Sequence, residues 1–161
     1  MQDRIATRIL NSSEEEKEKP CNCKNKSSCP LNGKCRKSCL VYKATVTSEQ
    51  MEKVYYGACE PEFKIRLANH TKSFKSERYE KESELSKHIW ELKRKEKQYN
   101  IKWSIAATAS PYRGGSRRCD LCCTEKLLIV KADTETLLNS RSEIISKCRH
   151  MNKFRLKQFK T

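Results

Sequence analysis

Hydrophobic and polar positions alternate with two different periods along this chain. Leu40, Tyr42, Ala44 and Val46 interleave with Lys43, Thr45 and Thr47, the period-2 signature of a half-buried strand. A polar link, Ser48 to Glu52, leads to Val54-Tyr55-Tyr56-Gly57, and the pair reads as a β-hairpin with a longer loop. Glu60-Pro61-Glu62 then places proline and acids where the first turn of a helix favours them. Phe63, Leu67, His70 and Phe74 share one stripe of that helix. Leu85, Ile89 and Leu92 form the stripe of a second helix, starting near Ser83-Glu84. Ile101, Trp103 and Ile105 alternate with Lys102 and Ser104, a third strand. Pro111 to Ser116 reads as a loop. A third helix is expected from about Leu121 to Ala132, and a fourth from about Arg141. The order β-β-α-α-β-α-α predicts an α+β domain: a small, mainly antiparallel three-stranded sheet flanked by helices.

Charge and composition add a partner to this picture. Lys and Arg number 35 against 20 Asp and Glu, a net charge of +15. A small domain this basic is drawn to polyanions, nucleic acid first among them. The segment from Lys147 onward carries six basic residues and no acid, with Phe154, Leu156 and Phe159 interleaved; Lys153, Arg155 and Lys157 are its expected DNA-backbone contacts. Solvated lysines account for part of the charge. Residues 1–20 are polar, with the charge run Glu14 to Lys19 ended by Pro20, and are expected to be disordered. No apolar run approaches the ~18 residues of a membrane span, so no membrane partner is expected. No secretory h-region follows Met1, which implies an intracellular chain with reduced thiols.

The ten cysteines fall into groups. Cys21, Cys23, Cys29 and Cys35 lie in a loop-like segment with Pro30 and Asn32-Gly33 as turn signals, too polar to bury a core of its own. Four thiolates at this spacing can close on one tetrahedral Zn²⁺, which would supply the folding energy. A second set pairs Cys119-x-x-Cys122 with Cys148-x-His150, a Cys₃His arrangement in which Cys123 is an alternative to Cys122. Both sets leave no open position, so they read as structural and not catalytic zinc. Cys39 and Cys59 read as spare thiols. A secreted, disulfide-linked basic protein is the competing reading, separable by metal content.

The segment from Leu40 to His70 resembles the GIY-YIG nucleases. Leu40-Val41-Tyr42 stands at the first tripeptide, Tyr55-Tyr56-Gly57 at the second, and Arg66 with His70 on the helix that follows. Glu125 stands at the family's metal-binding glutamate and Asn139 at its late asparagine. Cys29-Pro30-Leu31 through Cys35, Leu85 to Trp90, and Cys119 to Cys122 are similar to the endonuclease domain of Penelope-like retroelements. The resemblance covers about Cys21 to His150. Leu40 replaces a glycine, Tyr56 replaces an isoleucine, and Tyr79 stands near the place of a second histidine. The implied organisation is a polar tail (1–20), a zinc-binding segment (21–39), a nuclease domain (40–150) and a basic tail (151–161).

The resemblance implies a metal-dependent DNA endonuclease that nicks or cuts target DNA and that in such elements follows a reverse transcriptase domain, the chain being an excised domain, a truncated copy or a free-standing descendant; a DNA substrate and the Lys/Arg runs suggest a nuclear location. Tyr42 is then the base, Tyr55 its support, Arg66 the phosphate ligand, and Glu125 the ligand of one Mg²⁺ or Mn²⁺. His70 orients Tyr42 or donates to phosphate. Each assignment has a plainer reading. Tyrosine is a good strand former, His70 lies in an apolar stripe, Glu125 pairs equally well with Arg66, and Asn139 fits a helix cap. A catalytically inactive, zinc-dependent nucleic-acid-binding module left from such an element is the alternative function.

Overall fold

The computed structural model describes residues 19–112, 119–140, 142–145 and 148. Three strands, β1 (Leu40–Ser48), β2 (Met51–Cys59) and β3 (Asn100–Thr108), form one antiparallel sheet in the order β2-β1-β3. Among the described residues, four α-helices accompany it: α1 (Phe63–Lys75), α2 (Glu84–Arg94), α3 (Asp120–Lys131) and the short α4 (Ser142–Ile145). The expected α+β class and element order are those observed. The polar tail to residue 18, His150, Lys153, Arg155 and Lys157 lie outside the described residues.

β1 occupies the centre because both its faces are apolar. Leu40, Tyr42, Ala44 and Val46 face the main core, with Tyr55, Phe63, Leu85, Ile89 and Leu92. Val41 faces the other way, onto Ala58, Cys119, Leu121, Cys122 and Cys148. The antiparallel register sets Tyr42 opposite Gly57 and Ala44 opposite Tyr55. A register shift between Val41 and Tyr42 leaves Ala106 of β3 as an extra, bulged residue opposite the point where Tyr42 enters the core.

Two boundaries differ from the sequence expectation. The hairpin turn is tight: only Glu49 and Gln50 separate the strands, both at positive φ, 45° and 67°. Two positive φ values in succession define the turn whose twist matches paired strands, and it usually takes Asn-Gly. Strand pairing imposes it here on residues that give no such signal. Helix α1 begins at Phe63, so Glu60, Pro61 and Glu62 precede its first turn. Glu62 instead pairs with Lys19 at 3.2 Å and Arg36 at 3.3 Å.

A polar seam joins α1 to α2. Ser83 caps α2 by accepting from the Ser86 N–H at 3.0 Å. The hydroxyls of Ser73 and Ser86, both buried, meet at 2.6 Å, and Trp90 Nε1 donates to the Ser73 carbonyl at 2.9 Å. Burial without such pairing would be costly for each group. Among the described residues, no helix is long and apolar enough to cross a membrane.

Candidate functional site

Tyr42, Arg66 and His70 converge at the junction of β1 and α1. Arg66 Nε donates to the Tyr42 hydroxyl oxygen at 3.3 Å, and the same hydroxyl lies 2.6 Å from His70 Nε2. The Arg66 nitrogen can only donate, so the Tyr42 oxygen accepts in that contact. Tyr42 is fully buried and His70 is 4% exposed. Burial first, then the neighbouring Arg66 charge, pulls the His70 pKa down to about 3. The imidazole is therefore neutral, with one ring nitrogen donating and the other accepting. Burial works against the Arg66 charge, but the charge and hydrogen bond of Tyr42 outweigh it and hold the guanidinium above its ordinary value.

Gly57 makes room for this arrangement. A Cβ placed there would stand 2.9 Å from Tyr42 Cε1 and closer still to Cζ and the hydroxyl. Its backbone is not in the left-handed region, so steric access and not φ requires glycine. Tyr55 packs beside Tyr42, ring centroids 6.5 Å apart, and stands 6.1 Å from the His70 ring. Burial, then Tyr42, Glu143 and Glu125, raises the Tyr55 phenol above its usual range, with Arg66 opposing. It remains protonated.

Glu125, on α3, thus lies within electrostatic reach of Tyr55. Glu143 joins it without having been foreseen. Burial raises the Glu143 carboxyl, the Asn139 amide lowers it, and Glu125 raises it again. No sequence signal marks Glu143, because α4 is four residues long and shows no periodicity. A polar cavity of about 40 Å³, lined by Arg66, Asn69, His70 and Glu82 among others, adjoins the histidine. That is room for about one water.

Asn139 is not a helix cap. Its Oδ1 accepts from the Tyr56 N–H and its Nδ2 donates to the Tyr56 carbonyl, both at 2.8 Å. Beside it, Val54 N donates to Thr136 O and Leu138 N to Val54 O, at 2.9 and 2.8 Å. The segment covers the outer edge of β2, which would otherwise present unpaired backbone.

The cysteines assemble into two clusters able to bind metal. The sulfurs of Cys21, Cys23, Cys29 and Cys35 all lie within 4.8 Å of one another. Cys23 and Cys35 are 3.7 Å apart, and Cys35 and Cys21 3.4 Å. Zn–S bonds of ~2.3 Å space tetrahedral sulfurs about 3.8 Å apart, so the donor set fits one zinc ion. Burial opposes ionisation of Cys29, yet the Gly33 and Leu31 N–H groups hold its thiol down to about 6. Burial and the three neighbouring thiols push Cys35 up to about 12. Four thiolates cannot crowd together without a cation among them.

This segment also caps α1. Phe63 N donates to Lys37 O at 2.9 Å and Lys64 N to Cys35 O at 2.8 Å, satisfying two of the helix's orphan donors. Helix α1 has no side-chain cap of its own. In the second cluster Cys119, Cys122 and Cys148 come together, all buried. Cys123 is exposed, so Cys122 is the α3 donor. Three sulfurs leave one position of a zinc tetrahedron to a further ligand.

Comparison with known proteins finds no family model, no curated protein and no solved structure that matches this chain.

Proposed function

We propose that the protein is a metal-dependent DNA endonuclease of the GIY-YIG kind, the reading that its sequence resemblance implies. The observation that carries it is the Tyr42 hydroxyl held between the Arg66 guanidinium and a neutral His70 imidazole. A phenol becomes a useful base once its proton is lost to solvent and a cation stabilises the phenolate. The Arg66 guanidinium is that cation, and His70, one turn further along α1, positions the ring's oxygen. Hydrolysis requires water to attack phosphorus as the P–O3′ bond breaks. Tyr42 takes the water's proton, and Arg66 holds a non-bridging phosphate oxygen by a charge-assisted hydrogen bond. Glu125, with Glu143 beside it, offers oxygen ligands of the kind Mg²⁺ or Mn²⁺ prefers; a bound ion supplies neutralisation of the leaving 3′ oxygen. The cysteine clusters hold structural Zn²⁺, and the basic tail, including Lys153, Arg155 and Lys157, grips the DNA backbone.

A second reading rests on burial. Tyr42 is fully enclosed and Tyr55 is 5% exposed, which favours a nucleic-acid-binding module in which both rings only support the core. Supercoiled plasmid separates the two. With Mg²⁺ or Mn²⁺, the parent protein nicks or linearises the plasmid, while a Glu125→Ala protein of equal zinc content and helicity does not. Plasmid binding without cleavage by both proteins, under either metal, sinks the nuclease reading and leaves the module.

A further inference from the structure

Helix α1 has a second side that the candidate nuclease centre does not use. Arg66, His70 and Ser73 line the small polar cavity on one flank of the helix. On the opposite flank runs a groove of about 600 Å³ between α1 and the 3₁₀ segment Glu77–Glu82. Leu67 and Ala68 contribute its apolar floor, Lys72 and Lys75 its cationic wall, and Tyr79 closes its end; Lys64 lines it too, but its ammonium is turned onto Asn22 Oδ1 at 2.7 Å. Among the described residues, no acidic side chain lines it. The nearest acids in sequence, Glu77 and Glu80, are turned onto Arg94, at 2.7 Å and 2.5 Å. Lys72 Nζ stands 4.9 Å and Arg78 Cζ 5.0 Å from the centre of the Tyr79 ring. The groove therefore combines an aromatic plate, cations gathered around it, and an apolar floor. A duplex offers phosphates to such a surface but no exposed base face; an acidic peptide offers charge but no π-face to the ring. A single strand offers both.

We propose that this groove binds a single-stranded nucleic-acid segment, with one base stacked on Tyr79 and its backbone phosphates on Lys72 and Lys75. Lys72 is the movable part. Its long stem lets the ammonium leave the ring for a phosphate while its carbons stay on the floor. Tyr79, which the sequence places near a second catalytic histidine of the resembled family, thereby gains a role that needs no chemistry. The site stands whether or not the opposite flank of α1 cleaves DNA.

The test uses the full zinc-loaded chain without Mg²⁺ or Mn²⁺ and a fluorescent oligothymidylate of about 12 nucleotides, within the span one small domain covers. Anisotropy titrations compare the parent with Tyr79→Ala, Tyr79→Phe and the double variant Lys72→Gln/Lys75→Gln. Tyr79→Ala is expected to weaken binding roughly five- to 100-fold, and Tyr79→Phe to retain it, because the ring and not the hydroxyl stacks. The lysine variant is expected to flatten the slope of log affinity against log salt by about 1.4, at ~0.7 for each phosphate that is no longer neutralised. Lys131→Gln, exposed on α3, is expected to leave Tyr79 dependence intact. Equal affinity of the parent and Tyr79→Ala overturns the proposal. So does displacement of the oligonucleotide by polyglutamate as readily as by unlabelled oligothymidylate. Loss of plasmid cleavage with Tyr79-dependent binding retained would instead count against the nuclease reading alone.

Discussion

Gly57→Ala tests the packing on which the Tyr42 arrangement depends. The added methyl would stand 2.9 Å from Tyr42 Cε1 and nearer to Cζ and the hydroxyl, whereas ordinary contact starts at 3.4 Å. Tyr42 has no free direction in which to yield, being fully buried among Phe63, His70 and Trp103, with ring centroids 5.4 to 5.8 Å away. Overpacking of this kind costs about 1–3 kcal/mol. Displacing the hydroxyl from His70 and Arg66 adds about 1–3 kcal/mol for buried polar groups left unpaired. The expected loss is thus roughly 2–6 kcal/mol, a large share of the ~5–15 kcal/mol that holds a domain together. Urea unfolding followed by tryptophan fluorescence measures it, since Trp103 stands against the tyrosine ring. A Tyr42→Leu background isolates the cause: there the same glycine substitution is expected to cost less than about 1 kcal/mol. A Gly57→Ala protein within about 0.5 kcal/mol of the parent would refute the reasoning. An equal loss in both backgrounds would move the cause from the ring to the backbone.

Two further outcomes follow from the metal clusters and the buried histidine. Stripping metal with a chelator is expected to unfold the Cys21–Cys35 segment and release the cap that Lys37 and Cys35 place on α1; circular dichroism should show helix loss that added Zn²⁺ reverses, and unchanged helicity at zero metal content would contradict it. The folded His70 pKa, about 3, lies below the unfolded value near 6.5, so the unfolded chain binds more protons between those values. Stability contributed by neutral His70 is therefore complete above pH ~6.5 and is lost as pH falls toward 3, with a slope approaching about 1.4 kcal/mol per pH unit. A His70→Gln protein should lack that component, and an identical pH profile in both proteins would exclude it.

Residue chemistry that repeats locally was legible in the sequence alone. The alternation of Leu40 to Val46, the stripes of α1 and α2, and the spacing of Cys21 to Cys35 carry their own geometry, because strand and helix periods decide which side chains share a face. Tyr42, Arg66 and His70 came from the resemblance, and the register of β1 against α1 brings them within hydrogen-bonding distance. Cys123 and Cys122 are adjacent and chemically identical; only the rotation of α3 turns one into the cluster and the other to solvent. The requirement for glycine at position 57 arises from a tyrosine fifteen residues away, through the register of two strands. Glu143, the strand-edge role of Asn139, the capping of α1 by Cys35 and Lys37, and the groove at Tyr79 have the same origin. Each depends on atoms distant in the chain meeting across an interface, where burial and hydrogen-bond completion, not local propensity, select the arrangement. Periodicity and spacing specify which faces seek partners; the packed fold determines which partners those faces find.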